Sequence, residues 1–334
     1  MKCVAVGDML LPAINFKEAL EKDSLIDEFE CRSWKEDMNK AEFRDVIRKI
    51  ETVGSKAYDP GKDITDLMKE AEVIFVHLCP VSKEVIDQAK NLKYILSCRG
   101  GVENIDMEAA KEKGVKVINC PAHNAYAVAE YTIGMILNEL RNITRACMAL
   151  KSGQWREKYQ NSETLTEVRS QTIGIIGFGT IGRLVVERLK GFHPTILVND
   201  PFADEDKIRK EGCEPVTKEE LIKRSDVITI HARINAGAPP IIGKEEFDQM
   251  KETAYLINTA RAVAVDMKEL YHALSERKIM GAAIDVFPTE PVSKDEPLLK
   301  LDNITVTNHQ GGATVESYVK APEMVLDMLK QTLE

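Results

Sequence analysis

The stretch Thr172-Ile173-Gly174-Ile175-Ile176-Gly177-Phe178-Gly179-Thr180-Ile181-Gly182 organises the reading of this 334-residue chain. Ile173 to Ile176 reads as a buried parallel strand, Gly177 to Gly182 as a G-x-G-x-x-G turn, and Arg183 to Lys190 has helical spacing. Strand, glycine turn and helix in that order are the context a dinucleotide fingerprint requires. Gly177 makes the tight turn, Gly179 lets backbone approach a pyrophosphate, and Gly182 lets helix and strand pack closely. The helix N-terminus offers free N–H groups and positive dipole character to an anion. A second strand, Thr195 to Asn199, leads into Asp200. A carboxylate there accepts hydrogen bonds from adenosine ribose hydroxyls and repels a 2′-phosphate. Pro201-Phe202-Ala203 supplies no Arg to bind one, so NAD is expected rather than NADP.

Composition bounds the remaining classes. The chain is 44% hydrophobic and 30% charged, with a formal net charge of −9. Such a length accommodates two ordinary domains. The acidic balance, with no Lys/Arg block to offset it, argues against a nucleic-acid partner. No apolar run approaches the ~18 residues of a membrane span, and the start, Met1 to Asp8, reads as a first strand rather than a signal peptide. Cys3, Cys31, Cys79, Cys98, Cys120, Cys147 and Cys213 are odd in number and form no C-x-x-C. No metal site is expected, and free thiols in a cytoplasmic protein are. One reactive thiol near a strand end stays open.

Residues 1 to about 120 alternate strand-like segments (Lys2–Val6, Phe29–Ser33, Val73–His77, Tyr94–Ser97, Val115–Asn119) with helical patterns. Such alternation predicts a parallel α/β sheet covered on both faces. Ligands of open α/β sheets bind beyond the carboxyl ends of the strands. Those ends carry Gly7-Asp8, His77-Leu78-Cys79-Pro80, Cys98-Arg99-Gly100-Gly101 and Cys120-Pro121-Ala122-His123-Asn124. Arg99 followed by two glycines suits an anion pocket for a small carboxylate, and it reads equally as an ordinary turn with a surface Arg. His77 and His123 read more readily as packed or solvated histidines than as ligand-binding ones.

From Tyr126 to Ala149 the pattern predicts one long helix joining two domains, with an extra apolar face for a partner subunit or for burial within one chain. The second α/β unit continues with strands at Val227–Ile230, Ala254–Ile257, Ala282–Val286 and Ile304–Thr307. A helical tail, Ala313 to Glu334, is expected to return to the first domain.

Hydride chemistry needs a proton donor/acceptor and a cation for a carboxylate, while the cofactor carries the difficult step. Three strand ends offer these groups. Arg261 follows Asn258-Thr259-Ala260 and suits a bidentate carboxylate pair. Glu290 follows Asp285-Val286-Phe287-Pro288-Thr289, and His309 follows Asn308. A Glu beside a His fixes the ring and suits it to acid–base work near neutral pH. Each has a bland alternative taken singly: a surface charge, a loop acid before Pro, a turn residue.

With these motifs in hand, the chain resembles the D-isomer-specific 2-hydroxyacid dehydrogenase family over nearly its whole length. The matching stretches are Gly177–Gly182 with Asp200, Ile257–Arg261, Gly281–Pro291, Asn308–Gly312, and Asn124 with Ala127–Glu130. The resemblance implies that Arg261, Glu290 and His309 are catalytic. It implies that Thr180 and Ile181 meet the pyrophosphate, and that Thr259, Ala260 and Asp285 line the nicotinamide pocket. Arg99, Gly100, Gly101 and Asn124 would bind substrate. It implies two Rossmann-like or flavodoxin-like parallel-sheet domains with a hinged cleft between them. Residues 1–122 plus 313–334 would form the substrate domain and residues 123–312 the NAD-binding domain. Homodimers built on the long helix are the family's usual assembly.

The chain departs from the common pattern in places. Its Arg99–Asp106 loop is shorter than usual, Ala262 replaces a Gly, and His231-Ala232-Arg233 stands where His-x-Pro is common. Arg233 either adds positive charge near the cofactor or points to solvent. The expected activity is NAD-dependent interconversion of a small D-2-hydroxy acid and its 2-keto acid. The rival reading is an NAD-binding regulator similar to dehydrogenase-like corepressors; a formate or phosphonate dehydrogenase is a second. A phosphorylated substrate would want extra cations in the first domain, where Arg99 and Lys83 are the candidates. No C-terminal regulatory domain is expected.

Overall fold

The short apolar runs become strands buried on both faces, because alternate side chains of each strand enter different cores. In the computed structural model, which describes residues 1–234 and 237–334, the chain divides into two units. The first comprises Met1–Asn124 with Thr314–Glu334, and the second Ala125–Ala313.

In the first unit, strands β1 (Lys2–Gly7), β2 (Glu28–Ser33), β3 (Val73–Val76), β4 (Tyr94–Ser97) and β5 (Lys116–Asn119) form one sheet in the order β2-β1-β3-β4-β5. All pairs are parallel. Val4, Val6, Ile74 and Val76 enter the core on one face. Cys3, Ala5, Val73 and Phe75 enter the other. The second face is covered by the helix Ala13–Glu21, through Phe16 and Leu20, and by the C-terminal helix Ala321–Leu333, through Val325, Leu326 and Leu329. Phe16 meets Phe75 edge-on at 4.9 Å between centroids. Burying each such side chain contributes about 1.5–3 kcal/mol, so the distant C-terminal helix is integral to this unit.

The second unit holds β6 (Thr172–Ile176), β7 (Thr195–Asn199), β8 (Glu214–Pro215), β9 (Val227–Ile230), β10 (Tyr255–Asn258), β11 (Gly281–Ile284) and β12 (Ile304–Val306). Their order is β12-β11-β10-β9-β6-β7-β8, and every pair is parallel. The chain reverses its direction of travel across the sheet between β6 and β9, so the crevice at their carboxyl ends is where a ligand is expected. The helix Glu205–Lys210 and the strand β8 have no counterpart in the sequence reading. That helix is charged at every position but the buried Ile208 and starts on the Asp204 side chain, which accepts from the Asp206 N–H at 2.9 Å. β8 is only two residues long.

The single helix expected from Tyr126 to Ala149 is two helices, Ala125–Arg141 and Ile143–Lys151. Asn142 between them adopts φ 54°, ψ 32°, a left-handed conformation that Asn tolerates better than most residues. Its side chain donates to Asn161 Oδ1 at 2.7 Å. Asn138 Oδ1 accepts from both the N–H and the hydroxyl of Thr144, at 2.8 and 2.7 Å. These bonds satisfy polar groups that the break exposes, and apolar periodicity does not register them. No described helix is long and apolar enough to cross a membrane, and all seven cysteines are free.

Candidate active site

The glycine turn behaves differently at each glycine. Gly177 has φ +95°, which a residue with a Cβ rarely adopts. A Cβ on Gly182 would stand 2.1 Å from the Gly177 carbonyl oxygen, so helix Thr180–Leu189 crosses this turn only because Gly182 has none. A Cβ on Gly179 would meet nothing within 4 Å. Gly179 and Thr180 are exposed, Ile181 is half-buried, and the ten-residue helix begins at Thr180. Open space over a bare backbone at a helix N-terminus suits a pyrophosphate. Asp200 closes the loop: Oδ2 accepts from the Phe178 N–H at 2.7 Å and Oδ1 from the Phe202 N–H at 2.9 Å. Each oxygen keeps a lone pair for a ribose hydroxyl. The residues present therefore fit a dinucleotide.

Along the same carboxyl edge, β10 delivers Thr259, Ala260 and Arg261. Buried Asn258 shapes that turn, accepting from the Ala260 N–H at 3.1 Å and donating to the Arg261 carbonyl at 3.0 Å. Arg261 is exposed, with Nη1 donating to the Ala260 carbonyl at 2.7 Å. Thr259 is buried and its hydroxyl meets that of Thr132 at 2.8 Å.

His309 and Glu290 come together directly, with Nδ1 2.8 Å from Oε2. The other carboxylate oxygen, Oε1, accepts from the Phe287 N–H at 3.0 Å. A carboxylate only accepts, so Nδ1 carries the hydrogen and Nε2 is left for other partners. His309 is at φ 57°, and its loop is anchored by Asp285. That carboxylate, 1% exposed, accepts from the Thr307 hydroxyl (2.6 Å) and the N–H groups of Gln310 (2.8 Å) and Gly311 (2.7 Å). Asp285 thus binds the His309 loop with both oxygens. Among the described residues Arg261 makes no hydrogen bond or ion pair with Glu290 or His309.

In the first unit Arg99 is held by two carboxylates, Glu51 at 3.3 Å and Glu103 at 3.5 Å. A Cβ on Gly101 would collide with the Glu103 carboxylate, so that group lies over the glycine pair. Gly100 backs onto Pro121. Asn124, half-buried, ends the unit's first segment. Lys83 is likewise paired, with Glu112 at 3.3 Å and Asp87 at 3.5 Å. Arg233 is exposed. The sequence reading noted Asp8 and His77 as separate strand ends but not their pairing: Nδ1 of His77 lies 2.9 Å from Oδ2 of Asp8, both buried. Thr132 and Tyr318 lie in no motif that would signal them, and Asn258 lies within the matched stretch Ile257–Arg261 with no role assigned to it.

Two parallel α/β units, one bearing a glycine turn with an acidic strand end, define a protein built around dinucleotide binding. Residues 133–311 match the NAD-binding domain of the D-isomer specific 2-hydroxyacid dehydrogenases, and the chain belongs to that family. It is 40% identical over 295 residues to a D-3-phosphoglycerate dehydrogenase of Methanocaldococcus jannaschii, covering 86% of this chain and 55% of that protein. It is 34% identical over 270 residues to a glyoxylate reductase of Korarchaeum cryptofilum, covering 80% of this chain and 81% of that one. The chain spans about half the length of the phosphoglycerate dehydrogenases it matches, 55% and 50% in two archaeal cases. The crystal structure of the NAD-complexed D-isomer specific 2-hydroxyacid dehydrogenase of Lactobacillus delbrueckii ssp. bulgaricus shares the fold. Its TM-score is 0.77 at 20% identity, with 100% of this chain and 97% of that one covered.

Proposed function

We propose that the chain interconverts a small D-2-hydroxy acid and its 2-keto acid, with His309 as the acid–base group. The observation that carries this reading is the 2.8 Å contact between His309 and Glu290, which leaves Nε2 of the imidazole uncommitted. Bound NAD supplies the hydride acceptor or donor. Gly177, Gly179, Thr180, Ile181, Gly182 and Asp200 hold its pyrophosphate and adenosine ribose; Thr259, Ala260 and Asp285 flank its other end.

In the oxidative direction Nε2 takes the hydroxyl proton, and in the reductive direction it returns one to the ketone oxygen. Glu290 holds the ring in the orientation this needs and favours the charge the ring gains. Exposed Arg261 takes the substrate carboxylate in a bidentate pair. Arg99, Gly100, Gly101 and Asn124 are assigned to substrate binding in the first unit.

A second copy of the chain is proposed as partner. Ile143, Met148, Leu150 and Trp155 are exposed large apolar residues close in the chain, Trp155 at 81%, and exposed apolar side chains clustered in one segment are what an association surface offers. Sedimentation of the purified chain at dimer mass is expected. The activity is tested by NADH oxidation over glyoxylate, hydroxypyruvate, phosphohydroxypyruvate and sugar-derived 2-keto acids. Binding of NADH without turnover of any of them would favour a regulator instead.

A further inference from the structure

The strand that leads to His309 has little of its own to hold it. β12 stands at the edge of its sheet, is three residues long, and pairs Ile304, Thr305 and Val306 with Ala282, Ala283 and Ile284 of β11. An edge strand has a ladder on one side only, and its successive side chains face opposite layers. Ile304 and Val306 pack against one core. Thr305, buried, faces the helix Ala125–Arg141 instead.

That helix meets Thr305 with two polar side chains. Asn138 Nδ2 donates to the Thr305 hydroxyl at 2.7 Å. An amide nitrogen only donates, so the hydroxyl hydrogen goes to its other partner, Oε1 of Glu139. Oε2 of Glu139 accepts from Arg145 Nη2 at 2.8 Å, and Arg145 Nε donates to the Asp302 carbonyl at 2.6 Å. The Asp302 carboxylate holds Arg156 through both oxygens, at 2.9 and 2.7 Å. A Cβ on Gly281 would lie 3.0 Å from Oε2 of Glu139, so the first residue of β11 leaves room for this carboxylate. Glu139 is 0% exposed. Burial pushes its pKa up and Arg145 pulls it down. Both oxygens receive donors, which is the arrangement of an ionised carboxylate.

Among the described residues Asp285 and Glu139 are the buried carboxylates of the second unit. Asp285 holds the chain just beyond β12, at Thr307, Gln310 and Gly311. Glu139 holds it within β12 and, through Arg145, just before it. A buried ion pair adds little net stability, because lost hydration offsets the attraction, and its best-attested use is to fix register. Directional bonds to Thr305 fix where the strand lies against the helix; an apolar side chain there would be free to slide.

Resting on the acid–base reading of His309 above, we propose that Glu139 and Thr305 are positioning residues. Their hydrogen bond sets β12 against the helix Ala125–Arg141 and so places the imidazole of His309, four residues further on.

The test uses the full chain with NADH and the 2-keto acid that wild type reduces best. Thr305→Val removes the hydroxyl at nearly constant shape, and Thr305→Ser restores it. Thr305→Val is expected to bind NADH at full stoichiometry with wild-type affinity and to lose about tenfold in kcat, a loss that misplacement by a fraction of an ångström produces. Thr305→Ser is expected to turn over like wild type. A loss of kcat no larger than the loss of NADH sites marks a merely structural role and overturns the inference. Equal losses in the two variants overturn it too, as does wild-type turnover in Thr305→Val. All three leave the proposed function standing. If Thr305→Val does not fold, Glu139→Gln, which keeps the shape and drops the charge, is judged by the same split between kcat and NADH binding. If wild type reduces no 2-keto acid, the proposed function falls. Hydrogen exchange of residues 307–312 then decides: faster exchange in Thr305→Val than in Thr305→Ser upholds the positioning, and equal exchange overturns it.

Discussion

Glu290 bridges His309 and the backbone of its own loop: Oε2 faces Nδ1 of the imidazole at 2.8 Å while Oε1 holds the Phe287 N–H at 3.0 Å. The carboxylate is therefore fixed before it orients the ring. His309→Gln removes the proton carrier, and kcat should fall by ~10²–10⁴, the usual share of a general acid–base group. Glu290→Gln keeps the ring but loosens its orientation, so its kcat should fall less, with NADH affinity near that of wild type. Steady-state kinetics alongside fluorescence titration of NADH read both. Turnover near wild type in the His309 variant would remove that residue from the role.

Asp285 is expected to matter for stability as well as turnover. Asp285→Ala leaves the Thr307 hydroxyl and the N–H groups of Gln310 and Gly311 without their acceptor. The Gly311 contact is buried, and stranding a buried group costs about 1–3 kcal/mol, while the Thr307 and Gln310 groups are partly open to water and cost less. Urea unfolding should show a large loss, and activity should fall with it because the freed loop carries His309. A variant as stable as wild type would mean that the loop finds other partners.

Gly179 and Gly182 should separate cofactor binding from folding. Gly182→Ala drives a Cβ into the Gly177 carbonyl, so both the melting temperature and NADH affinity should fall. Gly179→Ala meets open space, so the melting temperature without cofactor should hold while NADH binding weakens. Equal NADH affinity in Gly179→Ala would show that the pyrophosphate lies elsewhere.

Acid should destabilise the second unit through His231. Its residue is half-buried, its Nε2 lies 3.0 Å from the Thr229 hydroxyl, and desolvation pushes its pKa from 6.5 down to about 3. Between those values the unfolded chain binds a proton that the folded chain refuses. The stabilisation from this group is whole above pH 6.5 and is lost as pH falls toward 3. The slope is at most on the order of 1 kcal/mol per pH unit. His231→Gln, which keeps a hydrogen-bonding partner for Thr229, should lose less stability than wild type between pH 7 and pH 5 in denaturant titrations. Parallel losses would exclude His231 as the cause.

Much of the molecule was legible without coordinates. Strands such as Ile173–Ile176 and Val227–Ile230 announce themselves because a strand buried on both faces must be apolar at every position. The glycine turn and Asp200 are readable because backbone geometry and ribose chemistry admit few residue types there. The helix break at Asn142 was not legible, since one left-handed residue leaves the apolar pattern around it intact. Glu205–Lys210 was missed for the opposite reason, having almost no apolar face to detect.

The residue order along the chain determined which groups end which strands: Asp8, His77, Arg261, Asp285 and His309 each follow an apolar run. Only the tertiary structure decided which of them meet. Sheet pairing sets β1 beside β3, past β2 in the sequence, and β11 beside β12, and that brings Asp8 to His77 across 69 positions and Asp285 to Gln310 across 25. The same packing set the Arg99 guanidinium beside Glu51 and Glu103 and left its Nη1 buried without a hydrogen-bond partner. Such pairings depend on distances of a few ångströms between segments far apart in the chain, and residue type and spacing carry no record of them.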